Sequence, residues 1–297
     1  MKGRSFSPIP SLGACHFPAA PPVGSGLVGI GGHAFADFSD LVDDAALVRI
    51  DREITSGLAQ LEVAYTGGSH RSMGIVPPEF LDSCGIDYRE VIEAMEDEAY
   101  ETFVSLADDP DSLDEEAVEA RDFGEERTLS LSRRQMRLLE YRYGVYFPWK
   151  VFYELLPVHY WDEKSSGAGK SFTREARTFF PETIALLRSL PFREIGRALL
   201  LGLAPNDHGT VHRDADPAEK TTCDHFLTLS PRGDKRLFLW DHVEKRQIPV
   251  QGKLYWFNDS DYHGVSADPF FRYSLRVDGV FTDEFLREID RRLKTSA

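Results

Sequence analysis

From about Phe192 onward the chain breaks into short apolar or alternating runs separated by strong turn formers, the pattern of an antiparallel β domain. The separators are Pro205-Asn206-Asp207-His208-Gly209, Pro231-Arg232-Gly233-Asp234, Asp241-His242 and Gln251-Gly252. Proline presets φ in such turns and glycine supplies left-handed backbone. They predict strands near 196–204, 210–214, 224–230, 235–240, 247–250, 253–258 and 270–281. No repeat of roughly 20–50 residues accompanies them, which excludes solenoids and propellers and leaves a sandwich or barrel over 192–297.

The preceding region, 36–191, is mostly helical in pattern. Val91, Ile92, Met95, Ala99 and Phe103 recur at steps of three and four, as a helix with one apolar face requires. Similar periodicity predicts helices over 51–65, 131–142 and 173–189. The acidic run Asp108–Glu116 reads as a solvated helix start, with Asp111 or Ser112 as its N-cap. Residues 1–35 are rich in Pro, Gly, Ser and Ala and predict an arm or covering loop. The fold class is therefore α+β, a helical half packed on a β core.

Composition narrows the partners. The 297 residues carry 49 acidic against 34 basic side chains, a net charge of −15 that repels phosphate backbones and anionic membranes. Cys15, Cys84 and Cys223 are too far apart for a CxxC zinc site and too few for a disulfide framework, which fits a reducing cytoplasm. Lys2 and Arg4 lead into Ser-Pro-Ile-Pro, without an apolar run of signal-peptide or membrane-span length, so a soluble, cytoplasmic protein is expected.

The chemistry concentrates at His212-Arg213-Asp214. On a strand, residues two apart share a face, so His212 and Asp214 project into one space while Val211 and Arg213 point away. Alone, such a pair reads as a satisfied structural contact. A second imidazole from a neighbouring strand, His263, would complete a 2-His-1-carboxylate facial triad, which leaves one side of an iron(II) ion open. His242-Val243-Glu244 has the same HxE form, but His242 falls in a turn and reads as surface.

The run 270–281 alternates polar Arg272, Ser274, Arg276 and Asp278 with apolar Tyr273, Leu275 and Val277. Alternation alone suits an edge strand with its polar face in water. Placed against a cavity, Arg272 and Ser274 would form a carboxylate clamp, a guanidinium fork plus a hydroxyl. Arg276 reads as a partner of Asp278 or another nearby acid before a contact for a substrate carboxylate. Trp161, Trp240, Tyr255 and Trp256 read as core aromatics before pocket walls, His208 as a solvated turn residue, and Cys223 as a small buried residue.

The order HxD, about fifty residues, His, about ten residues, RxS resembles the iron(II)/2-oxoglutarate-dependent oxygenases, whose fold is a double-stranded β-helix or jelly roll. Within them, Gly252–Val265 followed by Arg272 and Leu275-Arg276-Val277-Asp278 resembles the aspartyl/asparaginyl β-hydroxylase and proline hydroxylase branch. The resemblance implies that His212, Asp214 and His263 hold iron(II) and that Arg272, assisted by Ser274, clamps the distal carboxylate of the cosubstrate 2-oxoglutarate. It also implies a cosubstrate role for His225, although Cys223 stands where the branch has an arginine two residues earlier. The implied reaction consumes O2, hydroxylates an unactivated C–H bond and releases succinate and CO2. An amino-acid-like substrate, free, aminoacyl or peptidyl, follows from the branch, in a largely closed pocket walled partly by residues before 190. Oligomeric state is left open. The rivals are a cupin-like metal hydrolase or isomerase without 2-oxoglutarate, which needs no clamp, and a non-catalytic β-sandwich binding module.

Overall fold

A computed structural model describes residues 26–61, 88–123, 129, 131–145, 151–158, 161–218, 220 and 222–295. The expected N-terminal arm lies outside the described residues as far as residue 25. The strands in chain order are β1 (Phe35–Asp37), β2 (Val151–Leu156), β3 (Phe192–Leu203), β4 (Gly209–His212) and β5 (Phe226–Leu229). They are followed by β6 (Leu237–Asp241), β7 (Arg246–Pro249), β8 (Leu254–Phe257), β9 (His263–Val265) and β10 (Arg272–Phe281). One antiparallel sheet has the order β1-β8-β5-β10-β3-β2 and the other β4-β9-β6-β7. From β3 onward the chain keeps crossing between them, β3, β5, β8 and β10 lying in the first sheet and β4, β6, β7 and β9 in the second.

The helices are α1 (Asp44–Leu58), α2 (Tyr88–Glu93), α3 (Asp97–Ser105), α4 (Glu115–Glu119), α5 (Arg133–Tyr143), α6 (Arg174–Phe179), α7 (Pro181–Ser189) and α8 (Asp283–Thr295). No described helix is long and apolar enough to cross a membrane. The helix expected over 173–189 is two helices, because Pro181 forces Phe180 out of the helical region (φ −131°) and then starts α7 at its own first position. The 91–103 pattern likewise breaks at Glu96, which is extended. Asp111 and Ser112 form a short 3-10 turn, and the N-cap is instead Asp114, whose carboxylate accepts from the Glu116 and Ala117 amides.

Strand β10 is not an edge strand. It lies between β3 and β5, and all ten of its residues are buried. Tyr273, Leu275 and Val277 join one core with Ile50 and Ile54 of α1, Ala176 of α6, Ile184 and Leu187 of α7, and Phe285 and Ile289 of α8. Each large side chain so buried contributes roughly 1.5–3 kcal/mol. The opposite face of β10, with Ser274 and Arg276, turns toward a cavity bounded by the second sheet. A second apolar cluster joins Tyr88, Ile92, Phe103, Phe123, Met136 and Leu139 from α2, α3, α5 and the segment after α4. Its α5 begins with a capping box, Ser132 with Gln135, and ends at Gly144 in the left-handed region (φ 70°).

Candidate metal centre and adjoining cavity

Strands β4 and β9 pair so that His212 stands directly opposite His263, which brings the two imidazoles to 4.4 Å between ring centres. Two residues past the end of β4, the Asp214 amide donates to the Asp259 carbonyl at 2.8 Å, which turns the Asp214 carboxylate back toward the same point. Its Oδ1 lies 3.7 Å from His212 Nε2 and 3.8 Å from His263 Nε2. These distances are too long for hydrogen bonds and suit donors that share an ion. One donor atom from each of the three residues lies within 4.8 Å of the others.

The donor set fits a divalent first-row metal on its own evidence. Asp214 Oδ1 is buried with no hydrogen-bond partner, an arrangement that costs free energy unless a cation faces it. The ring of His263 is oriented through Nδ1, 2.9 Å from the Asp261 carbonyl, which places the proton on Nδ1 and leaves Nε2 as a lone-pair donor.

Behind Asp214 lies a buried charge network. Arg276 reaches Asp214 Oδ2 at 2.9 Å, Asp259 Oδ2 at 3.0 Å and Asp278 Oδ1 at 3.0 Å. Arg197 pairs with Asp278 at 3.0 Å, Lys220 with Asp259 at 2.8 Å, and Lys164 with Asp224. Burial alone would raise the carboxyl pKa of Asp214, but the charge of Arg276 beside it is the main opposing effect, and the group is held below its ordinary value. The single Nη1 contact on Oδ2 leaves Oδ1 as the free donor. The sequence placed Arg276 beside Asp278; its simultaneous reach to Asp214 and Asp259 had no signal in spacing.

Beside the triad, between the two sheets, lies a half-open cavity of about 80 Å³. At ~10–15 Å³ per water-sized group that is room for about six groups, the scale of a short acyclic acid and too small for a nucleotide. His212 and His263 line one part of it, with Thr228, Lys235, Tyr255, Ser274 and Arg276 among the other walls. Among the described residues every lining residue falls between 201 and 276, and none comes from before residue 190. Lys235 is buried, and its ammonium donates to the Leu201 carbonyl at 2.8 Å. Burial pushes its pKa down to about 7, only partly opposed by Asp234.

Of the residues expected to bind a cosubstrate, Ser274 lines the cavity and Arg272 and His225 do not. The Arg272 guanidinium is held by Asp268 and by Asp234, the latter at 2.9 Å, near the end of β10. His225 stacks on Phe281, its Nδ1 accepts the Phe281 amide at 3.1 Å, and burial lowers its pKa to about 4. Lys235 is the cavity cation that sequence reasoning missed. Its neighbours Arg232-Gly233-Asp234 mark a turn, and nothing in that pattern turns the next lysine inward. Tyr255 lines the cavity, whereas Trp256 packs in the core on the other face of β8. The side chain of Trp161 lies outside the described residues. His242 sits in the β6–β7 turn and His208 is exposed, as expected.

No family model and no curated protein matches this sequence. Among solved structures, the chain is similar to a prolyl-4-hydroxylase from Pseudomonas putida at 11% identity and a TM-score of 0.24, over 36% of this chain and 65% of that one. It is also similar to a viral collagen prolyl hydroxylase from Paramecium Bursaria Chlorella virus-1, solved as its 2OG complex, at 10% identity and a TM-score of 0.23. That match covers 36% of this chain and 72% of the viral one.

Proposed function

We propose that this chain is an iron(II)/2-oxoglutarate-dependent oxygenase, of the aspartyl/asparaginyl β-hydroxylase and proline hydroxylase branch, that hydroxylates an unactivated C–H bond. The overall reaction consumes one O2 and one 2-oxoglutarate per hydroxyl formed and releases succinate and CO2. The observation that carries this reading is the convergence of two imidazole nitrogens and an otherwise unpartnered buried carboxylate oxygen beside a small cavity that also contains a buried lysine. The alternation of β3–β10 between two sheets supports reading the core as a double-stranded β-helix.

His212, Asp214 and His263 would hold iron(II), which when bound supplies the oxygen-activating chemistry. The chain's own residues do the rest. Lys235, in its protonated form, anchors the distal carboxylate of 2-oxoglutarate by a charge-assisted contact in a low-dielectric wall, with the hydroxyls of Ser274 and Thr228 as further partners. This role passes from Arg272 to Lys235 because Arg272 is already engaged by two acids. Burial raises the Tyr255 pKa, so its phenol stays protonated and available as a donor. Leu201, Leu203, Leu237 and Phe257 exclude water around these groups. A hydrolase or isomerase using the triad alone has no need of an ammonium buried in the adjoining cavity, and that residue favours the oxygenase.

The proposed substrate is amino-acid-like, free, aminoacyl or peptidyl, and the proposed setting is the reducing cytoplasm, in keeping with three widely separated cysteines. The test is succinate formation from 2-oxoglutarate with iron(II), O2 and ascorbate, screened over amino acids and short peptides. Substrate-stimulated succinate release that is absent from Asp214→Ala supports the proposal. A protein that binds iron but releases no succinate with any of these would favour the metal-hydrolase reading, and one that binds no metal would favour a binding module.

A further inference from the structure

Near the start of β3, away from the cavity, the chain forms a half-open cleft of about 360 Å³. Among its described lining residues four are cationic, Lys170, Arg177, Arg188 and Arg193, and none is acidic. This runs against the composition of a chain with a net charge of −15. Among the described residues none of the four makes a salt bridge. Glu163 and Glu194 act on Lys170 only at longer range, and Glu194 Oε1 is taken up by the Ser166 hydroxyl at 3.0 Å and the Gly167 amide at 2.6 Å.

Three of the four cations are held in place by neutral groups. Lys170 Nζ donates to the Glu163 carbonyl at 2.5 Å and the Gly196 carbonyl at 3.0 Å. Arg177 donates to the Phe172 carbonyl at 2.7 Å, and the Arg188 guanidinium lies 5.3 Å from the centre of the Phe172 ring. Arg177 and Arg188 also stand in the last turns of α6 and α7, where a cation is favoured by the helix dipole. That preference does not account for Lys170 and Arg193 turning into the same cleft. Four like charges around one cleft repel one another until an anion enters. Of the five remaining wall residues Ser171 is polar, and Leu156, Phe172, Phe192 and Ile195 are apolar and give an organic group a surface to cover.

We infer that this cleft is a binding site for a small phosphate ester, its phosphate held by the four cations and its organic part laid against Phe172 and Phe192. A dianion with three acceptor oxygens matches several converging donors better than a single carboxylate does. The site is distinct from the cavity beside the metal centre. Ile195 lines the cleft and Leu201 the cavity, six residues or roughly 20 Å apart along β3 at ~3.3 Å per residue. The inference does not rest on the proposed oxygenase activity.

Isothermal titration of the full chain with inorganic phosphate and with phenyl phosphate, against sodium chloride at matched ionic strength, tests it. One saturable site is expected, with phenyl phosphate bound at least about threefold more tightly than phosphate, as burial of an aromatic ring implies. The double variant Arg188→Glu/Arg193→Glu should weaken binding by at least about tenfold, and Arg188→Gln/Arg193→Gln by less, with unchanged far-ultraviolet circular dichroism. Lys235→Met should bind phenyl phosphate as the parent does. Absence of saturable binding, equal affinity for the two probes, indifference to the double substitutions, or loss in Lys235→Met instead would each overturn the inference.

Discussion

Arg276 touches three carboxylates at once, Asp214, Asp259 and Asp278, at 2.9–3.0 Å, and is almost completely buried. Removing such a residue strands buried anions, which costs about 3–5 kcal/mol when a buried pair is broken. Arg276→Met is therefore expected to lower stability by that amount in chemical denaturation, and to weaken divalent-metal binding because Asp214 loses the contact that orients it. Lys235 behaves oppositely. Its folded pKa of about 7 lies below the ordinary 10.5, so between those values the unfolded chain holds the proton that the folded chain has lost. Stability should rise with pH through that window. Lys235→Met should stabilise the protein by about 1–3 kcal/mol at pH 6, where the buried ammonium is charged, while weakening 2-oxoglutarate binding at least about tenfold in calorimetry. Arg272→Ala should do the reverse, lowering stability by leaving Asp268 buried without this partner and changing 2-oxoglutarate affinity less than about threefold.

At the scale of elements, α1 is locked to α7 by one carboxylate and one glycine. Glu53 accepts the amides of Glu182 and Thr183 at 2.8 and 2.7 Å, capping the start of α7, and a Cβ at Gly57 would run into the Phe180 ring. Gly57→Ala should therefore cost about 1–3 kcal/mol despite alanine's better helix propensity, measured as a lower thermal midpoint. The sequence made these elements legible to different degrees. Short apolar or alternating runs and turn chemistry located β3 to β8 and β10, because such runs between Gly- and Pro-rich turns are a local signal even where, as in β5, β8 and β10, every residue is buried. Strand β9 is only three residues long, and β2 lies inside a helical region with its pairing partner some forty residues away, so neither leaves a local signature. The metal triad was legible because strand periodicity alone puts His212 and Asp214 on one face. The surroundings of Arg272 were not. Alternation says which face Arg272 occupies, but its distance along β10 from the metal and its capture by Asp268 and Asp234 depend on loops packed from elsewhere.

For the whole molecule, pH ties the buried polar groups together. His225 titrates at about 4 in the folded state against an ordinary 6.5, because burial penalises its charged form. A histidine depressed in this way makes the unfolded chain the better proton acceptor, so stability falls as pH drops from about 6.5 toward 4, by roughly 3 kcal/mol over the window. Replacement by Gln should flatten that part of a stability–pH profile. The central claim concerns His212, Asp214 and His263, which bring their donor atoms within 4.8 Å of one another. Anaerobic titration of the purified chain with iron(II), read as metal bound per chain by calorimetry, tests it most directly. The account predicts one iron(II) per chain, tightened by 2-oxoglutarate, and loss of that site in Asp214→Ala. Iron binding that is absent, or that persists unchanged in Asp214→Ala, would contradict it.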